Sequence, residues 1–175
     1  MTQLIKFIGL TLIFAACSAG GLIYSNGFKK RESELKSLER DIITLENKIL
    51  YEKEPLPHAL MDISSTDESI IGKLFLSCSN KLFNNEVCTV YDAFEYSLNE
   101  IKDDLSLKGE DKRILLDMSK SLGNLDEEGH KKLFLMTENL IRRNLEESHG
   151  ESMKNIKLYR YLGVSLGLVI VIMLI

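Results

Sequence analysis

An all-α fold is predicted, an antiparallel helical bundle domain set between an N-terminal and a C-terminal transmembrane helix, and three observations predict it. Pro occurs only twice and Gly is sparse, too few breakers for a many-turned all-β chain. Apolar residues gather in two uncharged runs at the ends, and charge gathers between them. Between the runs, apolar residues recur at alternating three- and four-residue spacing, the period of a helix with one buried side.

The first run, Phe7 to Tyr24, reads FIGLTLIFAACSAGGLIY without a charge. It has about the length that crosses a ~30 Å hydrocarbon core at about 1.5 Å per residue. A cleaved signal peptide is the rival reading, and FAAC before Ser18 resembles a lipoprotein site ending at Cys17. Phe14 fits that site poorly, the apolar run continues to Tyr24, and Lys6 alone makes a thin basic start, so an uncleaved anchor is preferred. Within it, Ala16 and Gly20 have the small-residue spacing that lets helix backbones approach in lipid.

Basic residues follow at Lys29, Lys30 and Arg31. Leu35, Leu38, Ile42, Leu45 and Ile49 then form a coiled-coil-like stripe. The helix is expected to stop before Pro55-Leu56-Pro57, because a residue preceding proline avoids helical dihedrals. Pro57 opens a short helix, His58 to Asp62. Ser64 to Glu68 reads as a loop, with Ser65 and Glu68 at capping-box spacing. The next helix carries Ile70, Ile71, Leu74, Phe75, Cys78, Leu82 and Phe83 and ends at Asn84-Asn85. Thr89 caps another, whose inner side is Val90, Ala93, Phe94, Ser97, Leu98 and Ile101.

Asp103 to Gly109 is a charged connection, and Glu110 to Leu122 the following helix, closed by Gly123. Asn124 and Glu127 make a second capping box, with Asp126, Glu127 and Glu128 at the positive end of the helix dipole. From there one long helix is expected to run into the membrane. Its buried side is Leu133, Phe134, Met136, Leu140, Ile141 and Leu145, and Glu146 to Asn155 is a solvated stalk. Lys154, Lys157 and Arg160 precede the second apolar run, Tyr161 to Ile175, which covers only ~22 Å. Snorkelling bases and slight thinning of the bilayer let it span. Gly163 and Gly167 repeat the small-residue spacing. Residues 1–27 are thus an anchor, 28–158 a helical domain and 159–175 a second anchor. The basic flanks place the domain in the cytoplasm and the termini outside. Lys29, Lys30 and Arg31 are expected to pair with Glu146, Glu147 and Glu151 near the bilayer.

No catalytic or cofactor motif is present. Gly123 to Lys131 departs from a phosphate-binding loop in the place of its second glycine, and His130 precedes the lysine. His58, His130 and His149 are isolated, and Cys17, Cys78 and Cys88 lack metal-ligand or disulfide-framework spacing, which fits a reducing compartment. A formal net charge of −4 gives no sign of a nucleic-acid partner. The chain reads as a binding protein without catalytic, cofactor or metal residues.

Several stretches in order resemble the stage III sporulation protein AB family. They are the anchor and basic helix, Tyr51-Glu52-Lys53-Glu54-Pro55-Leu56-Pro57-His58-Ala59-Leu60, then Leu115 to Asp126 with Leu122-Gly123-x-x-Asp126, then Tyr161-Leu162-Gly163. His130 stands where the family is expected to carry glutamine. The resemblance covers essentially the whole chain. It implies a domain similar to the helical cytoplasmic domains of type II secretion and type IV pilus platform proteins. It further implies a non-enzymatic platform in the mother-cell membrane, facing the forespore. Such a platform docks a secretion-type ATPase and couples it to other membrane proteins of the channel complex. The residues themselves leave open a second reading, a structural or sensory tether that self-associates without a motor. For docking, the candidates are two acidic turns, Asp103-Asp104 and Asp126, Glu127 and Glu128, because loops on a rigid scaffold gather binding residues.

Overall fold

A computed structural model describes residues 29–122 and 126–174; side chains at 154–164 and 166–174 lie outside the described residues. Among the described residues there are six helices and no strand. They are α1 (29–50), α2 (Leu56–Thr66), α3 (Ile70–Phe83), α4 (Val90–Glu100), α5 (Gly109–Ser121) and α6 (Glu127–Leu174). The chain divides into two compact units, one Ser33–Glu146, the other Met1–Glu32 with Glu147–Ile175.

In the first unit, α1 buries Leu35, Leu38, Ile42 and Leu45 completely, as the stripe predicts. Its exit is fixed by Lys53 at φ 57 and by the Glu54 N–H, which donates to Lys48 O at 3.0 Å. The Lys48 ammonium then holds Glu54 and Asp62 at 2.9 and 2.8 Å, joining the end of α1 to α2.

Helix α2 departs from the short helix predicted. Pro55 is its N-cap, and it runs on through Thr66. The Ser64, Ser65 and Thr66 hydroxyls donate back to the carbonyls of Met61, Asp62 and Ile63, so these residues finish a helix instead of starting one. The predicted Ser65–Glu68 capping box is therefore replaced. Ser69 caps α3 by accepting from the Ile71 N–H at 3.1 Å, and Asp67 accepts from the Ser69 N–H at 2.9 Å.

Helix α3 ends as predicted. Asn85 takes φ 52, and the Glu86 and Asn85 N–H groups donate to Lys81 O and Leu82 O, which closes the last turn around a left-handed residue. Thr89 caps α4 by accepting from the Asp92 N–H at 3.0 Å. Helix α5 begins one residue before its predicted start, and Gly123 and Asn124 lie outside the described residues. The cap assigned to Asn124 falls to Asp126, whose carboxylate accepts from the Gly129 N–H at 2.9 Å.

Helix α6 is continuous over 48 residues. Within the first unit it runs antiparallel to α1, since Glu39 pairs with Arg142 and Lys53 with Glu127. Its inner face differs from the predicted one. Phe134 and Ile141 are buried, but Met136 is 57% exposed and Leu140 36%, while Thr137 and Asn144 are buried. Both polar groups are satisfied inside: Thr137 donates to Leu133 O and Asn144 to Asp111. A helix accepts polar side chains on its buried side when each finds a partner there.

The Glu146–Asn155 segment, which enters the second unit at Glu147, is not uniformly solvated, because Ser148 and Ser152 are buried. Their small side chains continue the inner face past the apolar positions. Arg31 pairs with Glu151 at 3.5 Å and Glu32 with His149 Nδ1 at 3.0 Å, so one of the predicted basic–acidic pairings forms. Among the described residues no helix is long and apolar enough to cross a membrane. The first apolar run, with Ala16 and Gly20, lies outside the described residues. Gly163 and Gly167 stand on helical backbone of α6, and the side chains of Lys154, Lys157 and Arg160 lie outside those described.

Candidate partner-binding surface

The two acidic turns differ in how much structural work they do. At the start of α6, Asp126 caps the helix, and Glu127 takes Lys53 at 2.9 Å and Lys131 at 3.2 Å. Those cations hold the Glu127 carboxyl below its ordinary pKa. This corner is also tied by His130, whose Nε2 lies 2.9 Å from Leu122 O at the end of α5. The imidazole thus bridges α5 and the start of α6. Glu128 is exposed beside them. Asp103 and Asp104 sit in the turn after α4, both exposed, with the Asp104 N–H on Ile101 O. Helix capping and lysine clamping thus account for Asp126 and Glu127, while Glu128, Asp103 and Asp104 are exposed acids.

Sequence reading missed the buried polar groups. Glu34, Asp41, Asp67 and Asp111 are all at most 7% exposed. Glu34 and Asp41 adjoin Leu35 and Ile42 on the inner stripe of α1, so spacing alone marks them as facing inward. Glu34 accepts from the Ser106 N–H at 2.8 Å, which pins the segment between α4 and α5 across α1. Leu105 and Leu107 of that segment are buried on either side of the bond.

Asp41 and Asp67 form an acid pair. Arg40 reaches both, with Nε 3.1 Å from Asp41 and Nη2 2.9 Å from Asp67. Asp67 also accepts from the Ser69 N–H and hydroxyl, whereas Asp41 Oδ2 is buried with no hydrogen-bond donor beside it. Burial, then the neighbouring Asp67, push the Asp41 carboxyl up to about 7. Asp67 moves the other way: burial raises it, but the hydrogen bonds from Ser69, with Asp41 and Arg40 beside it, bring it below its ordinary value. Of the two carboxyls, Asp41 is therefore the one that keeps its proton to higher pH.

This pair sets a pH dependence. The folded chain keeps the Asp41 proton up to about pH 7, whereas an unfolded aspartate releases it near pH 4. Between those values the folded state binds more protons, so stability falls as pH rises through this window. Asp41→Asn removes the ionisation and is expected to flatten the loss, leaving the variant about 2 kcal/mol more stable than wild type at pH 8. Urea denaturation of both chains at pH 5.5 and pH 8 measures it; equal pH slopes in the two chains would refute the assignment.

Cys78 is buried and Cys88 exposed. Burial pushes the Cys78 thiol up to about 12, so it is packed as a small apolar group rather than as a nucleophile. Among the described residues no cluster of three or more potential ligands is placed to hold a metal ion.

Comparison with known proteins gives a consistent answer. The family model described as stage III sporulation protein AB matches residues 6–175. Stage III sporulation protein AB of Bacillus subtilis (strain 168) is 25% identical over 174 residues, 98% of this chain and 99% of that one. A solved structure of a stage III sporulation protein AB superposes with a TM-score of 0.65 at 23% identity, covering 70% of this chain and 96% of that chain. That likeness shows the shared helical fold.

Proposed function

The chain belongs to the stage III sporulation protein AB family, and we propose that it acts as a non-enzymatic membrane platform in a sporulation channel complex. In this reading the first unit is cytoplasmic, in the mother cell. It docks a secretion-type ATPase, and the two apolar runs hold it in the membrane among the other proteins of the channel.

The observation that carries the reading is α6. Its backbone is helical without a break from the packed unit through the second apolar run, about 72 Å at 1.5 Å per residue. A helix continuous between a partner-binding unit and an apolar anchor supports a role in coupling the two. The Arg31–Glu151 and Glu32–His149 pairs, both within the second unit, hold the start of α1 to α6 there. A largely exposed pair such as Glu32–His149 is worth only about 0.2–1 kcal/mol, so it sets alignment more than stability.

Docking is tested with two variants. Replacing Asp103 and Asp104 by Lys is expected to reduce ATPase capture from detergent extracts roughly tenfold, since reversed charge repels a basic partner surface. Replacing Glu127 and Glu128 by Gln is expected to have a smaller effect, because Glu127 is already neutralised by two lysines. If the lysine variant stays folded by circular dichroism and captures as wild type does, the docking face lies elsewhere. If the wild-type chain captures no ATPase, the tether reading replaces this one.

A further inference from the structure

Helix α6 turns part of its apolar side to water. Leu135 and Met136 are 58% and 57% exposed, and Leu140 lies one turn on. Lys132 and Arg143 bracket them on the same face. Their neighbours Lys131 and Arg142 are spent in ion pairs with Glu127 and Glu39. Lys132 and Arg143 have no ion-pair partner among the described residues. A shallow hollow lined by Asp126, Glu128, Gly129, Lys131, Lys132 and Leu135 opens beside the upper end of this face. Meanwhile Thr137 and Asn144 are buried on the opposite side. A helix that keeps polar groups inside and apolar groups outside has an unfilled use for its outer face.

The outer face of α4 has the complementary pattern. Asp92 and Asp103 bracket Tyr96, which is 58% exposed. Asp103 lies in the turn just after α4. Lys132 and Arg143 on one face, and Asp92 and Asp103 on the other, thus flank an exposed centre with charges of opposite sign. Aromatic side chains with a polar tip suit the centre of such an interface.

We propose that the α6 face of one copy docks on the α4 face of a second copy of this chain. Lys132 and Arg143 meet the acids, and Leu135, Met136 and Leu140 close on Tyr96. Because the two faces differ, the contact is heterologous, and each copy still offers one free face of each kind. Such contacts build a ring when the rotation closes and a row when it does not. The interface is small, and common anchoring in one bilayer raises the effective concentration that it needs. Asp103 is also a candidate for ATPase docking, so the test uses the purified full chain with no ATPase present; its outcome does not depend on the motor reading.

The experiment is disulfide trapping in lipid vesicles. Two differently tagged chains carry Cys88→Ser, one with Tyr96→Cys and the other with Met136→Cys. Co-reconstituted and oxidised, they are expected to give a mixed dimer at least about fivefold above the Cys88→Ser background, with neither chain alone exceeding it. Adding Lys132→Glu and Arg143→Glu to the second chain is expected to abolish the product, and Asp92→Lys with Asp103→Lys in the first to restore it. No mixed dimer, or a dimer formed by the Met136→Cys chain alone, overturns the proposal. Should a charge-reversed chain fail to fold, the unreversed cysteine pair still decides it.

Discussion

Gly72→Ala is expected to destabilise the chain by about 3 kcal/mol, the upper end of overpacking effects, because the obstacle is backbone. A Cβ at Gly72 would overlap the carbonyl oxygen of Asp67. That carbonyl cannot retreat easily. The Asp67 N–H closes α2 on Ile63 O, its carboxylate holds Ser69, and Arg40 binds it from α1. The corner between α2 and α3 is therefore wound tightly around Asp67, and only glycine lets α3 start there. Gly150→Ala is the contrast: nothing lies within 4 Å of the added Cβ, and alanine is the better helix former by about 1 kcal/mol. Thermal melts of the two variants should move in opposite directions. A Gly72→Ala chain that melts with wild type would show that the corner opens at little cost.

Asn144→Leu is the second large effect, expected near 2–3 kcal/mol. Its amide donates to Asp111 Oδ1 at 2.8 Å, and both residues are at most 2% exposed. Leucine resembles asparagine in size but removes a donor from a buried carboxylate, and a carboxylate without its donor is far costlier inside than a missing methyl group. Asp111 Oδ2 meanwhile accepts from the Lys108 N–H at the start of α5, so the loss spreads to that helix end. Replacing Asp111 by Asn together with Asn144→Leu removes the buried charge that has lost a donor. The double variant should therefore be less destabilised than the sum of the two single changes, as a coupled pair requires. Additive losses in urea denaturation would separate Asp111 from Asn144 energetically.

These two effects mark the division between sequence and structure in this chain. Where a helix packs one apolar stripe against the core, the stripe was readable. Leu35, Leu38, Ile42 and Leu45 on α1, and Ala93, Phe94 and Leu98 on α4, are buried where their spacing puts them. Local chemistry was readable too when donor and acceptor lie within a few residues, as with the Thr89 cap and the Asn85 turn. The family resemblance rested on the order of short segments along the whole chain and is confirmed by the family match over residues 6–175.

Local patterns misled where two readings share the same residue types. Ser64 to Thr66 satisfy a helix start and a helix end equally well, and the choice went to the end, because their hydroxyls reach carbonyls already exposed by α2. Of the acids grouped as docking candidates, Asp126 and Glu127 are held by the Gly129 N–H, Lys53 and Lys131, and only Lys53 is distant in sequence.

By itself the sequence determined the helical class, the helix order, the inner stripes of the short helices and the family. Each follows from periodicity or from contacts between near neighbours, which the chain carries in its own order. The tertiary structure alone decided which side of α6 faces in. Both of its sides contain apolar residues, and the polar Thr137 and Asn144 go inside only because Leu133 O and Asp111 await them. It likewise decided that Asp41 keeps a proton beside Asp67, since two carboxyls twenty-six positions apart in the chain share one buried site. Long-range pairing of polar groups has no period in a sequence; it exists only once the helices are packed.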